Sequence, residues 1–284
     1  MTQRILVVLD PDSDTAVATD TAIDIARRHQ AELTGLAFVD KDSIGADTVG
    51  GGIGSYYYAE KLRESLTDET RQRARALLAA FTERVEAAGV RHSGDRVDED
   101  SLVKSLLGEM RTHDLLVAGR ESHFYYAEPE HRTHTLAKVL EEGAAPALIV
   151  GGKPVEVRRV AVAYDGSAPS ARALQAFAHL SPFGTDLDVE AVHVRGGSDA
   201  DRLASERLLA DAMAYLRAHG YERVTTTSVE SSDPAERICE LAQGDRADLV
   251  VSGAYAKSGL RKLVFGSSAT KLLDEAKVPL FLYH

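Results

Sequence analysis

Residues 253–268 hold the side chains best suited to chemistry in this sequence. The run Gly253-Ala-Tyr-Ala-Lys-Ser-Gly-Leu-Arg-Lys-Leu-Val-Phe-Gly266-Ser267-Ser268 carries Lys257, Arg261 and Lys262, with no acidic residue between the two outer glycines. The whole chain sets 33 Lys and Arg against 44 Asp and Glu, a net charge of −11. A local reversal of sign on so acidic a protein marks a place suited to an anion. Gly253 and Gly266 permit backbone conformations and close approach that a Cβ would block. Ser267 and Ser268 open a predicted helix, whose unpaired N–H groups and dipole favour negative charge by about 0.3–1 kcal/mol per charge. Asp165 ends a separate apolar run and offers an acceptor for a ribose hydroxyl or an adenine amino group. The expected chemistry is a positively polarised cradle for a triphosphate, with an acceptor across a crevice.

The elements that must position these residues occur twice. Arg4-Ile-Leu-Val-Val-Leu-Asp10 is echoed by Arg159-Val-Ala-Val-Ala-Tyr-Asp165, and Asp114-Leu-Leu-Val-Ala-Gly119 by Asp248-Leu-Val-Val-Ser-Gly253. Leu136-Ala-Lys-Val-Leu-Glu-Glu142 before Pro146 is echoed by Ala269-Thr-Lys-Leu-Leu-Asp-Glu275 before Pro279. Three matched segments in one order indicate a duplicated domain. Short β-branched runs alternate with longer helical patterns, the mark of a parallel sheet with crossover helices. The first half predicts strands near 4–9, 32–39, 90–97, 114–119 and 147–150, with helices near 15–30, 57–88, 101–112 and 134–143. The second predicts strands near 159–164, 186–194, 222–229, 248–253 and 279–283, with helices near 169–180, 200–219, 233–243 and 267–276. The fold class is therefore α/β: two tandem, doubly wound, five-stranded parallel-sheet domains of Rossmann-like type. Domain boundaries fall at 1–152 and 157–284, around the linker Gly151-Gly-Lys-Pro154. In such sheets a ligand binds beyond the carboxyl ends of the strands where strand order reverses, here between the first and fourth strands.

The loop in this setting resembles the universal stress protein family, whose ATP-binding members carry G-x-x-G-x9-G-S/T. The match runs from Gly253 through position 256 to Gly266 and Ser267, and the resemblance covers nearly the whole chain. It implies an adenine nucleotide α-hydrolase-like fold, with Asp165 and the Val194 backbone on the nucleoside. It also implies Gly253, Ala256, Gly266, Ser267 and Ser268 on the phosphates, and ATP, with or without Mg2+, as ligand. His193-Val194 at the end of the second strand fits the family pattern. Ala256 departs from it, replacing the second glycine. If that position needs a positive φ, the added Cβ costs about 1 kcal/mol or more.

The first half lacks the phosphate grip. Aligned through Pro146, Thr133 stands in place of Gly266 and His134 in place of Ser267, while Glu121, Glu128 and Glu130 offset the two arginines. Phe124, Tyr125 and Tyr126 can fill the crevice with rings. Asp10 and Val39 remain at the family positions, yet no ATP is expected there. His123, His131 and His134 match no common metal spacing, so no metal is expected. Asp12 and Asp14 read as turn and helix-start residues. Gly50-Gly-Gly-Ile-Gly-Ser55 fails the G-x-G-x-x-G spacing and reads as a surface loop.

Composition narrows the remaining choices. The acidic balance argues against nucleic acid and anionic membranes as partners. Cys239, the single cysteine, falls on the apolar side of a helical pattern and reads as a buried thiol in a reducing compartment. The apolar stretch at the N-terminus is short for a signal peptide, so a cytoplasmic location is expected. Neither a Walker A motif nor a base placed to activate water is present, and no catalytic residue is expected. Three functions stay open: a nucleotide-dependent stress or regulatory protein, an interaction module without nucleotide, and a slow ATPase. The family resemblance further implies intramolecular pairing through the final strands, near 147–150 and 279–283. Homodimerisation beyond that has no sequence feature to argue for it.

Overall fold

The computed structural model describes residues 2–11, 14–39, 53–99, 102–120, 136, 138–243, 246–254 and 272–284. In chain order the elements are β1 (Arg4–Leu9), α1 (Asp14–His29), β2 (Glu32–Phe38), α2 (Ile53–Ala87), β3 (Arg91–His92), β4 (Arg96–Asp98), α3 (Leu102–Met110), β5 (Leu115–Gly119) and β6 (Ala147–Val150). The second half continues with β7 (Arg159–Ala163), α4 (Ala168–Leu180), β8 (Asp188–Arg195), α5 (Asp199–Ala218), β9 (Arg223–Glu230), α6 (Pro234–Leu241), β10 (Leu249–Gly253) and β11 (Leu280–Tyr283). Short helical segments also cover 138–142 and 272–275.

The strands join into one sheet ordered β3-β2-β1-β5-β6-β11-β10-β7-β8-β9, with β4 also on β2. Each half thus repeats the order third, second, first, fourth, fifth, and its pairs are parallel. The halves meet where β6 and β11 run antiparallel, Leu280 opposite Ile149 and Leu282 opposite Ala147. This is the expected pairing of the final strands, and it makes the chain an intramolecular pseudo-dimer.

Because successive side chains alternate across a strand, continuous apolar runs feed two cores. Ile5, Val7 and Leu9 face Ile23, Phe81 and Val85 on the side of α1 and α2, and Val160 and Val162 face Phe177 and Leu216 of α4 and α5. Leu6, Val8 and Val250 belong to the opposite core with Leu106 of α3, Cys239 of α6 and Leu272. Cys239 is buried, as its place in the helical pattern indicated.

Other contacts cross between the halves. The Arg120 guanidinium, just past β5, donates to the carbonyls of Ala276 and Val278. The Thr2 hydroxyl donates to the Leu180 carbonyl at 3.1 Å, and the Tyr283 hydroxyl to the Ala144 carbonyl at 3.0 Å. Within the first half, the Gly152 N–H of the linker donates to Asp14 at 2.8 Å.

Two local expectations need correction. The third strand of the first half, expected unbroken over 90–97, is split into β3 and β4. Gly94 turns the chain at φ +69°, and Asp95 takes the Gly35 N–H at 2.8 Å, so a side chain stands in for the ladder. Ile53, Gly54 and Ser55, read as part of a loop, open α2; Gly50–Gly52 lie outside the described residues.

Candidate functional site at the carboxyl ends of the second-half strands

β7 pairs with β10 up to Ala163 opposite Ser252, and with β8 up to Ala163 opposite Val192. Strand order reverses between β7 and β10, so topology places the expected ligand position beyond Ala163. Three of the sequence-predicted residues are placed at it. Asp165 follows β7 and is exposed; Gly253 ends β10; Val194 lies near the end of β8.

The turn from β7 into α4 is set by local chemistry. Gly166 takes φ +74°, where a Cβ would stand 2.7 Å from Leu208 Cδ1. Ser167 then caps α4, its side chain accepting from the Ser170 N–H, with proline in the first turn. Asp165 accepts the Ser167 N–H at 2.9 Å. Partial burial would raise the Asp165 pKa, but hydrogen bonds from Ser167 and Ser170 prevail and hold it below the usual carboxylate range. Asp165 is therefore an anion poised to accept.

Gly253 brings α4 close. A Cβ built there would lie 2.7 Å from Ser170 N and 2.8 Å from the Pro169 carbonyl carbon. The absent side chain lets the first turn of α4 rest on the tip of β10.

Val194 contributes through its backbone. The Val192 carbonyl accepts from Tyr164 N, on the β7 side, while the Arg195 carbonyl accepts from Ser231 N, on the β9 side. By alternation the Val194 N–H and C=O point to the β7 side, past the last registered pair of that strand, over the crevice.

Sequence reasoning missed a polar chain beside this edge. His193 Nδ1 lies 2.8 Å from Ser205 Oγ, which lies 2.8 Å from Ser228 Oγ. Ser205, on α5, is fully buried. Burial lowers the His193 pKa, opposed by the charge of Asp165 and helped by Arg195. The signal was His193 and Ser205 converging from two elements, which spacing alone does not reveal.

The first-half counterpart is built differently. Asp10 is only 1 % exposed, and its N–H donates to Thr15 Oγ1 at 2.9 Å. Asp14 begins α1 and is buried against the linker. A carboxylate already sits on that helix N-terminus, where the second half has Pro169. The expected equivalence of Val39 with Val194 is corrected by register. Arg4 opposite Glu32 matches Arg159 opposite Asp188, which places Phe38 at the Val194 level.

Ala256, Gly266, Ser267 and Ser268 lie outside the described residues, as do Lys257, Arg261, Lys262 and the Phe124–Tyr126 and His123–His134 segments of the first half. Among the described residues no group of three or more His, Cys, Asp or Glu is disposed to hold a metal ion. No helix among them is long and apolar enough to cross a membrane. A polar groove of about 730 Å³, lined in part by Asp24, Arg28, Glu156, Arg158 and Arg223, lies at the opposite ends of the strands. There Arg223 pairs with Asp186 and Asp188, and Arg158 with Glu156.

The family profile described as Universal stress protein family matches residues 1–124 and 156–284. The chain belongs to the universal stress protein family. Its sequence is 23 % identical over 214 residues to universal stress protein Slr1230 of Synechocystis, covering 75 % of this chain and 72 % of that protein. It is 26 % identical over 140 residues to universal stress protein MJ0531 of Methanocaldococcus jannaschii, 44 % of this chain and 81 % of that protein. The crystal structure of a universal stress protein from Archaeoglobus fulgidus has the same fold, with TM-score 0.68 and 18 % identity over 99 % of this chain and 95 % of that one. Universal stress protein architecture thus accounts for both halves of the sheet.

Proposed function

We propose that this universal stress protein binds one adenine nucleotide, ATP with or without Mg2+, in its second half and acts by nucleotide-dependent conformation or partner affinity. The proposal divides the chain into domains 1–152 and 157–284, with the first site degenerate. The observation that carries it is the meeting of Asp165, the inward Val194 backbone and Gly253 at the strand-order reversal, directly before a cationic, glycine-bounded segment. Asp165 accepts from the nucleoside and the Val194 backbone pairs with it. Gly253, Ala256, Gly266, Ser267 and Ser268 take the phosphates, where N–H groups and the helix dipole supply positive potential without a dedicated basic surface. In the first half, Thr133 and His134 stand where the second half has Gly266 and Ser267, and Glu121, Glu128 and Glu130 oppose a phosphate there. Binding is the function assigned to this site.

Calorimetry with ATP, ADP and AMP, with and without Mg2+, tests this. One equivalent of ATP per chain is expected, with micromolar affinity corresponding to about −8 kcal/mol, abolished by Gly266→Asp because a carboxylate then faces the phosphates. Two equivalents refute the assignment of the first half. No binding of any nucleotide leaves an interaction module.

A further inference from the structure

The two outer edges of the sheet are built differently. On the first-half side the edge is cut into β3, of 2 residues, and β4, of 3. Gly94 and Asp95 turn the chain between them. Arg91, His92, Arg96 and Asp98 make up all of that edge but Val97. Short, interrupted, charged strands are how natural sheets discourage further pairing. β9, at the other end, runs unbroken over 8 residues, registered on β8 from Arg223 opposite Asp188 to Glu230 opposite Arg195. Between Arg223 and Glu230 it reads Val-Thr-Thr-Thr-Ser-Val, with neither charge, proline nor bulge. The Ser231 N–H donates to the Arg195 carbonyl of β8. By alternation, Val224, Thr226, Ser228 and Glu230 turn their backbone groups away from β8. Thr226, Ser228 and Glu230 are exposed, while the Val224 side chain joins the core. Among the described residues no strand lies beyond β9.

From this open edge we propose that β9 pairs antiparallel with β9 of a second copy of the chain, continuing the sheet from one molecule into the next. A twofold axis perpendicular to the sheet makes the two edges antiparallel and lets one surface serve both copies. In such a pair, outward-turned residues must stand opposite outward-turned residues, where each couple exchanges two backbone bonds. Placing the axis at Thr227 satisfies this for the whole strand. Thr226 then faces Ser228 of the second copy and Val224 faces Glu230, so every outward group of β9 is paired. Moving the axis to Thr226 sets Glu222 against Glu230, a like-charge contact that disfavours that register. Moving it to Ser228 carries Val224 past the end of the other strand. With the axis at Thr227 no like charges stand opposite one another. The intervening couples are Thr227 with its own copy and Thr225 with Val229, β-branched pairs of the kind that stabilise adjacent strands. This self-complementarity is the argument for a second copy as the occupant. The surface is an edge rather than a broad face, so the association is weak and concentration-dependent.

The test uses the full chain. Sedimentation equilibrium under reducing conditions is expected to show a monomer–dimer equilibrium. Thr226→Pro removes an outward N–H without touching the β8 ladder, and by symmetry it deletes two bonds of the pair. It is expected to weaken the dimer about tenfold or more. Thr226→Lys, which keeps the N–H and charges the edge, is expected to act in the same direction. Thr227 meets its own copy with Cα atoms about 4.5 Å apart, within disulfide range. Thr227→Cys oxidised with diamide is therefore expected to yield a covalent dimer, and Thr225→Cys much less of it. Cys239 is buried, and the oxidised parent chain is the uncrosslinked control. A chain that stays monomeric at every concentration overturns the proposal and leaves the edge to a strand of another protein. So does a dimer that both Thr226 variants leave intact, or crosslinking as ready at Thr225→Cys as at Thr227→Cys. Far-UV circular dichroism verifies that the variants remain folded.

Discussion

Replacing Gly253 with alanine sets a methyl group against backbone that cannot move by itself. The added Cβ would stand 2.7 Å from Ser170 N, 2.8 Å from the Pro169 carbonyl carbon and 3.0 Å from Pro169 Cβ. Ordinary contact is nearer 3.5–4 Å, so the first turn of α4 must retreat by roughly 1 Å. That shift disturbs the Ser167 cap and the bond from Ser167 N–H to Asp165. Overpacking of this kind costs about 1–3 kcal/mol. The same substitution at Gly108 is the control. Gly108 lies inside α3, and a Cβ there would have nothing within 4 Å, so Gly108→Ala is expected to stabilise by about 0.5–1 kcal/mol. Urea unfolding followed by circular dichroism reads both changes. With a slope of about 3 kcal/mol/M, the midpoint falls by about 0.3–1 M for Gly253→Ala and rises slightly for Gly108→Ala. Equal shifts of one sign at the two positions would refute the close-approach argument. So would a Gly253→Ala protein as stable as its parent.

Asp165→Asn keeps an acceptor for the Ser167 N–H and removes the charge, so ATP affinity measured by calorimetry is expected to fall about 5–30-fold with little loss of stability. Arg120→Met removes two charge-assisted bonds to the Ala276 and Val278 carbonyls. It is expected to cost about 1.5–3 kcal/mol in urea unfolding, with faster hydrogen exchange near the 272–275 helix. Burial lowers the pKa of His113, and likewise that of His193. The unfolded chain therefore takes up these protons first, so stability is full above pH of about 6.5 and is lost as pH falls through the folded values. NMR titration of the two rings checks the direction; either ring titrating above 6.5 contradicts it.

Much of the architecture was legible because periodic apolar runs and a repeat are properties of the chain itself. The echo of Asp114 by Asp248 was visible as a pattern, but its purpose was not. Asp114 accepts the N–H groups of Gln3 and Arg4, and Asp248 those of Arg158 and Arg159. Each aspartate thus ties the start of the fourth strand to that of the first. Asp165 and Gly253 could be placed at the crevice from strand ends alone. The division of the third strand by Asp95, the one-residue offset that makes Phe38 the counterpart of Val194, and the Ser205 contact of His193 could not. Each depends on a partner 12 or more positions away, and no local propensity encodes that.

The antiparallel junction of β6 with β11 also has a temporal consequence. β6 is complete at Val150, whereas its partner begins at Leu280. Ribosomes add about 5–20 residues each second, so the first half waits roughly 6–26 seconds before β11 leaves the ribosome. Throughout that interval a newly made Ala147–Val150 offers unclaimed hydrogen-bonding groups to any other nascent chain. Slowing translation within the second half should therefore lower the yield of properly folded protein, and a holding chaperone should restore it.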